Sequence, residues 1–298
     1  MEKEGINRYN STSLFLITIG LVLINTLIFS YIGRYLGQMI WEVDVTQLVK
    51  GNLEFTRPHS SALRLTQFLS QLGGFILSVL IAIQVMKRSF IDFTKLNERP
   101  PWKWLAVSLF LFICLLPGLE WLVEWNATIQ FPASQEERLR SLHENNQKIY
   151  NIMLHYNTGI DLWINLLVMA VLPAISEELL FRGLIMRIFR SMFGNIHAAI
   201  WVSALVFAGI HLQAYNIVPM ILMAAIFGYL YYFTGSLWVP MILHFLNNAS
   251  VVLMKYFGIA NDSAATTPQY TLLFLAGGFI LFWYMFRKSP KPNALTLE

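Results

Sequence analysis

The stretch Ile160-Asp161-Leu162-Trp163-Ile164-Asn165-Leu166-Leu167-Val168-Met169-Ala170-Val171-Leu172-Pro173-Ala174-Ile175-Ser176-Glu177-Glu178-Leu179-Leu180-Phe181 is a largely apolar run with two adjacent acids near its end. About twenty helical residues at roughly 1.5 Å each cross the roughly 30 Å hydrocarbon core of a bilayer. Seven further runs of similar length can be drawn: 14–33, 65–86, 103–123, 196–212, 216–233, 237–254 and 270–286. All eight read as helices, because in lipid only helices or closed barrels satisfy every backbone polar group, and the short alternating segments of a barrel are missing. The 298 residues are 56% hydrophobic and 13% charged, against roughly a quarter charged in an ordinary soluble domain. The expected fold class is all-α: a polytopic transmembrane helical bundle of about eight spans.

Lys3 and Arg8 precede the first run, as in a signal peptide. The run is nevertheless about twenty residues long and is followed by Tyr31-Ile32-Gly33-Arg34-Tyr35 rather than a small-residue cleavage site, so a retained span is expected. Placing the N-terminus inside puts thirteen basic residues on inner segments, among them Lys87, Arg88, Lys95, Arg99 and Lys103 in one loop. Eight fall on the longer outer segments. That split favours both termini on the cytoplasmic side of a cell (inner) membrane. The one cysteine, Cys114, excludes an intramolecular disulfide or a cysteine metal cluster and reads as a packing residue.

No internal repeat or long linker is apparent, which makes one membrane domain the economical reading. Two longer extramembrane stretches, about 34–64 and 124–159, interrupt it. The second reads as a polar surface helix with Glu136 and Arg140 at i,i+4.

Charges inside a spanning helix cost several kcal/mol, so each is a functional candidate until a structural partner is found. Glu177 and Glu178 diverge by about 100° on a helix and should have different jobs. Glu178 is i,i+4 from Arg182, a favourable ion-pair order, which leaves Glu177 the freer carboxylate and the better general base. The bland alternative is that both acids pair with Arg182 at the membrane edge. Pro173 cannot donate to Met169, so the helix is expected to bend beside the acids. In the fifth run Phe207 and His211 share a face, and Gly209 would let a neighbouring helix approach. In the seventh, His244 and Asn248 share a face, with Asn247 an alternative partner. Such a pair suits oxyanion stabilisation or metal ligation, or simply polar glue between helices.

If helices four and five turn near Phe193-Gly194-Asn195, Glu178 and His211 both lie roughly 22–24 Å from the turn and can meet. His244, only nine residues beyond Gly235, is harder to level with them. His59, His143, His155 and His197 are read as surface residues. No HExxH zinc-protease signature, GxSxG elbow or phosphate-binding glycine loop is present.

At these residues the sequence resembles the type II CAAX endopeptidase family, also called the CAAX protease and bacteriocin-processing family, whose pattern is EExxxR, FxxxH and HxxxN on successive membrane helices. Glu177, Glu178 and Arg182, then Phe207 and His211, then His244 and Asn248 match in order. The resemblance implies a helical cavity in which a glutamate and a histidine activate water for peptide hydrolysis. By position, Glu177 resembles the general base and His211 a residue that orients water or moves protons. His244 and Asn248 resemble the oxyanion pair, while Glu178 and Arg182 resemble residues that fix the cavity wall. A metal is left open: Glu177, His211 and His244 could ligate zinc, or the same groups could run a metal-independent glutamate mechanism. The implied division is residues 1–159 as N-terminal membrane helices and loops, 160–255 as the catalytic core and 256–298 as a C-terminal helix and tail.

The expected function is an intramembrane endopeptidase acting on a membrane-associated peptide or a CAAX-type protein, in some branches a prenylated one. Membrane lipid is the other expected partner, and no nucleic acid is. The alternatives are a catalytically silent immunity or scaffolding protein, and a small-molecule or ion carrier, the latter disfavoured by the missing repeat.

Overall fold

Long apolar runs organise the chain, and each becomes a helix. The computed structural model describes residues 10–46, 56–155, 158–259 and 268–289, and no strand occurs among them. In chain order the helices are α1 (Ser11–Trp41), α2 (Arg57–Val85), α3 (Phe90–Thr94), α4 (Trp102–Ala127) and α5 (Ala133–Met153). They continue as α6 (Gly159–Phe193), α7 (Ile196–Ile210), α8 (Ala214–Thr234, opening with a 3₁₀ turn), α9 (Trp238–Tyr256) and α10 (Pro268–Lys288). The protein is an all-α, polytopic integral membrane protein.

Six of these helices are long and apolar enough to cross a bilayer: α1, α2, α4, α6, α8 and α10. The expected number was about eight. The two remaining runs do fold as helices, but α7 has 15 residues, about 22 Å, short of a roughly 30 Å core. In α9 the length suffices, but His244, Asn247, Asn248 and Lys255 dilute the hydropathy. The first run also outgrows its expected end at residue 33, since α1 continues to Trp41 and takes in the Tyr31–Tyr35 segment.

The described residues group into two compact units, one formed within Met1–Phe93, Glu144–Leu180 and His244–Ala260, the other within Thr94–His143, Phe181–Leu243 and Asn261–Glu298. In the first unit α1 lies against α2 along a seam of small residues. A Cβ added to Gly33 would stand 2.7 Å from the Thr66 Cα, and one on Gly37 2.9 Å from the Ala62 Cβ. On the α2 side, a Cβ on Gly73 or Gly74 would fall into the Phe29 ring or onto the Thr26 hydroxyl. Such close approach maximises dispersion contact, the main attraction between helices where lipid is as apolar as leucine. Two polar ties lie on the same seam: the Ser30 and Ser70 hydroxyls, 2.7 Å apart, and Asn25 Nδ2 donating to Ser78 Oγ at 3.0 Å.

A buried ion pair fixes α2 to the start of α6. Arg64 Nη1 donates to Asp161 Oδ1 at 2.7 Å, and its Nε and Nη2 donate to the Met153 carbonyl at the end of α5 at 3.0 and 2.6 Å. Arg64 is 4% exposed and Asp161 2%. Asp161 also closes a capping box with Thr158 and meets Arg57 Nη2 at 3.1 Å. Each guanidinium nitrogen of Arg64 and each carboxylate oxygen of Asp161 has a partner, the condition under which charge is tolerated away from water.

In the second unit α4, α8 and α10 share a core that includes Leu111, Phe112, Leu230, Phe233 and Met285. Asn126 straps the start of α8, donating to the Ala214 carbonyl at 3.0 Å and accepting from the Val218 N–H at 2.8 Å. The expected polar helix is α5, and the expected Glu136–Arg140 pair forms at 2.8 Å. Tyr215 also donates to Glu136 at 2.7 Å, and it, followed by Arg140, holds the Glu136 carboxyl below its ordinary value. The α6–α7 turn falls at the expected place. Gly194 takes a left-handed conformation at φ +64°, and Asn195 caps α7 by accepting from the His197 and Ala198 N–H groups at 2.8 and 3.2 Å. Of the histidines read as surface residues, His155 and His197 are exposed, whereas His59 and His143 are half-buried; the His143 ring packs edge-on against Tyr215.

Removing Arg64 takes the buried donor from Asp161 Oδ1 and both donors from the Met153 carbonyl, leaving Asp161 with Arg57 and Thr158; a buried acceptor left short of a partner typically costs about 1–3 kcal/mol. Arg64→Ala should therefore lower the detergent melting temperature markedly. Arg64→Met combined with Asp161→Asn should recover part of that loss, since the polar cap survives, no buried charge remains, and Arg57, which loses the Asp161 carboxylate, is exposed to solvent. Thermal unfolding of the three proteins checks this, and an unchanged Arg64→Ala melt would refute it.

Candidate active site

The acidic pair sits between two unusual turns of α6. Residues Leu172–Glu178 are α-helical, while Leu166–Val171 before them and Leu179–Ile185 after them are wound as π-helix. Pro173 supplies a local cause for the first, since it has no N–H to continue the α ladder. Widened turns of this kind shift the angular register of everything that follows, and they occur often at functional sites. Arg182 lies in the second π turn.

In the first unit Glu177, Glu178 and His244 come together. Glu178 is completely buried, and Glu177 and His244 are each 7% exposed. His244 Nδ1 lies 2.9 Å from Glu178 Oε1, and its Nε2 lies 3.9 Å from Glu177 Oε2. A carboxylate can only accept, so the Nδ1–H donates to Glu178 and Nε2 is the ring atom turned toward Glu177. The levelling of His244 with the acids, which residue counting left open, is thus achieved.

Two polar residues that the sequence reading did not single out complete the cluster. Gln71, the first residue of the π segment of α2, donates from Nε2 to Glu177 Oε1 at 3.2 Å. The Ser176 hydroxyl donates to Gln71 Oε1 at 2.6 Å. Both are buried. A glutamine 106 residues from its partner carries no spacing signal, and buried amides and hydroxyls commonly serve as polar glue in membranes. Their one sequence-level mark is a polar side chain inside an otherwise apolar run.

Asn248 sits one turn beyond His244 on α9. Its Oδ1 accepts from Asn247 Nδ2 at 3.2 Å, so its own amide N–H groups are the donors it can offer elsewhere.

Arg182, Phe207 and His211 belong to the second unit. Arg182 is 2% exposed. It donates from Nη2 to the Ala224 carbonyl at 2.8 Å and lies over the Phe207 and Phe227 rings at 5.2 and 5.6 Å. The Phe207 and His211 rings touch, with centroids 4.7 Å apart, as their shared face required. However, α7 ends at Ile210, and His211 is its half-buried cap residue rather than an interior one. Its Nδ1 is 2.7 Å from the Phe207 carbonyl; the carbonyl accepts, which fixes the proton on Nδ1 and leaves Nε2 as the basic atom.

Zinc sites use three or four His, Cys, Asp or Glu side chains held at one point. Among the described residues no group of three such side chains could hold a metal ion. His244 Nδ1 is committed to Glu178, which leaves Nε2 as the ring atom open to a water or a metal ion.

Comparison with known proteins locates the similarity on this same stretch. Residues 159–250 match the family described as type II CAAX prenyl endopeptidase Rce1-like. The chain is also 29% identical over 89 residues to the uncharacterized protein YpbD of Bacillus subtilis, a match covering 28% of this chain and 42% of YpbD, less than half of that relative's length. No solved structure matches. The segment that supplies Glu177, Glu178, Arg182, His211, His244 and Asn248 is therefore the Rce1-like part of the chain, similar to the type II CAAX prenyl endopeptidases over residues 159–250.

Proposed function

We propose that the protein is a membrane-embedded endopeptidase that hydrolyses a peptide bond in a membrane-associated peptide or protein, with Glu177 as the general base. The observation that carries this reading is the 3.9 Å gap between Glu177 Oε2 and His244 Nε2. It is too long for a direct hydrogen bond and short enough for both atoms to contact one water at about 2.8 Å. Glu177 Oε2 takes the proton as the water attacks the scissile carbonyl. Glu178, accepting from Nδ1–H, holds the imidazole so that Nε2 can carry a proton toward the developing oxyanion or the leaving amine, as the buried carboxylate does in an acid–His pair. Asn248, one turn away, supplies an amide donor for the oxyanion. By the resemblance alone, His211, with Nε2 as its basic atom, orients water or transfers protons, and Glu178 and Arg182 fix the cavity wall. Substrates are extended peptides reached from the membrane, and prenylated CAAX ends are one class to be tried.

Glu177→Gln keeps the size of the side chain but cannot take a proton. Cleavage of lipidated or plain fluorogenic peptides by the purified protein should fall by about 10²–10⁴, with peptide binding retained. Asn248→Ala should cost roughly 10²–10³, and His211→Ala combined with Glu177→Gln should be little worse than Glu177→Gln alone. Near-normal turnover by Glu177→Gln would sink the mechanism.

Turnover measured before and after exhaustive chelation separates the two mechanisms the residues allow: a metal-independent glutamate base keeps its rate, whereas a zinc-held water loses it and zinc alone restores it.

The charge split of the loops supports both termini on the cytoplasmic side of the cell membrane. Positions 3 and 291, which lie outside the described residues, can each carry a cysteine in a Cys114-free background. An impermeant thiol reagent on intact cells should label neither, and labelling of either would overturn this topology.

A further inference from the structure

Glu177 has two oxygens with different surroundings. Oε2 faces His244, whereas Oε1 receives the Gln71 Nε2–H at 3.2 Å. A glutamate carboxylate ordinarily turns about a broad, nearly two-fold torsion, so nothing intrinsic to the side chain keeps one oxygen on the reacting side. Gln71 cannot itself turn over freely, because its Oε1 is held by the Ser176 hydroxyl at 2.6 Å. A reversed amide would set a carbonyl oxygen against a carboxylate oxygen. The three groups are buried, Gln71 at 5%, Ser176 at 0% and Glu177 at 7% exposure, where a hydrogen bond is stronger and a mispaired one costs more.

We infer that Gln71 is a positioning residue for Glu177: it occupies Oε1 and keeps Oε2 aimed at the His244 side, while Ser176 dictates which end of the Gln71 carboxamide is presented. Gln71 stands on α2, outside the 159–250 segment that resembles the endopeptidase family. The part of the chain without family resemblance thus contributes to the chemistry. This inference rests on Glu177 acting as the base. It also explains why α2 changes from α to π winding at Gln71: the wider turn adds a residue to the ladder where a side chain must be re-aimed.

The test combines kinetics with a readout that needs no turnover. Gln71→Met keeps the length and removes both polar atoms; kcat should fall about tenfold with KM near its original value, and the same change in a Glu177→Gln background should have no further effect. Ser176→Ala, a smaller lesion, should act in the same direction to a lesser extent. Separately, the carboxylate stretching bands of Glu177, isolated as the infrared difference between the protein and Glu177→Gln, should move in Gln71→Met and be partly restored in Gln71→Asn. Unmoved bands in Gln71→Met and Ser176→Ala would overturn the inference. So would a kcat loss that merely tracks a lower melting temperature or persists in the Glu177→Gln background. If the protein cleaves no peptide, or Glu177→Gln cleaves normally, the protease reading fails and the infrared arm still decides whether Gln71 orients Glu177.

Discussion

The hydrogen bond between Glu178 and His244 is the contact on which the first unit depends. Glu178 has no exposure at all, and an ionised carboxylate stripped of water costs several kcal/mol unless donors replace the lost hydration. The imidazole supplies such a donor at 2.9 Å. It comes from α9, so the bond ties that helix to α6 and sets the rotation of α9 about its own axis. Asn247 and Asn248 follow from that rotation, and so does the side of the imidazole that meets Glu177. A hydrophobic residue at 178 would let α9 settle in more than one register; a buried polar pair accepts only one.

Much of this was legible in the sequence because hydropathy makes its violations conspicuous. Glu177, Glu178, His244 and Asn248 stand out as polar residues in apolar helices; spacing alone left them as polar glue, metal ligands or catalytic groups, and their order along the chain carried the family resemblance. The α6–α7 turn was equally legible, because Phe193-Gly194-Asn195 combines a left-handed glycine with a strong helix cap. The partner of Glu178 was harder to read. Helical counting offers only an arginine four residues away, whereas a hydrogen bond to Glu178 also comes from His244, 66 residues distant on another helix. Periodicity rules assume one pitch, and α6 uses two.

The span count shows the same limit from another side. A window of apolar residues reports composition, not where a helix starts and stops. The end of α7 at Ile210 places His211 on a cap, which gives its ring a backbone carbonyl as partner. In α9 the residues that lower the hydropathy are the residues of the candidate site. Gln71, Ser176 and the Arg64–Asp161 pair were invisible for a different reason. Each is defined by a partner about a hundred residues away, and one sequence read alone contains no record of such distances.

The glycine seam between α1 and α2 has a consequence for the chemistry. Gly73 and Gly74 follow Gln71 by two and three residues, and at both the backbone of α2 is flush against α1. Contact of that kind acts as a mechanical stop. It limits how far the turn bearing Gln71 can slide, because the Phe29 ring and the Thr26 side chain already fill the space a side chain would need. A helix that reaches no reacting atom thereby becomes the reference surface from which an oxygen of Glu177 is aimed, and the tolerance of that aim is set by volume rather than charge.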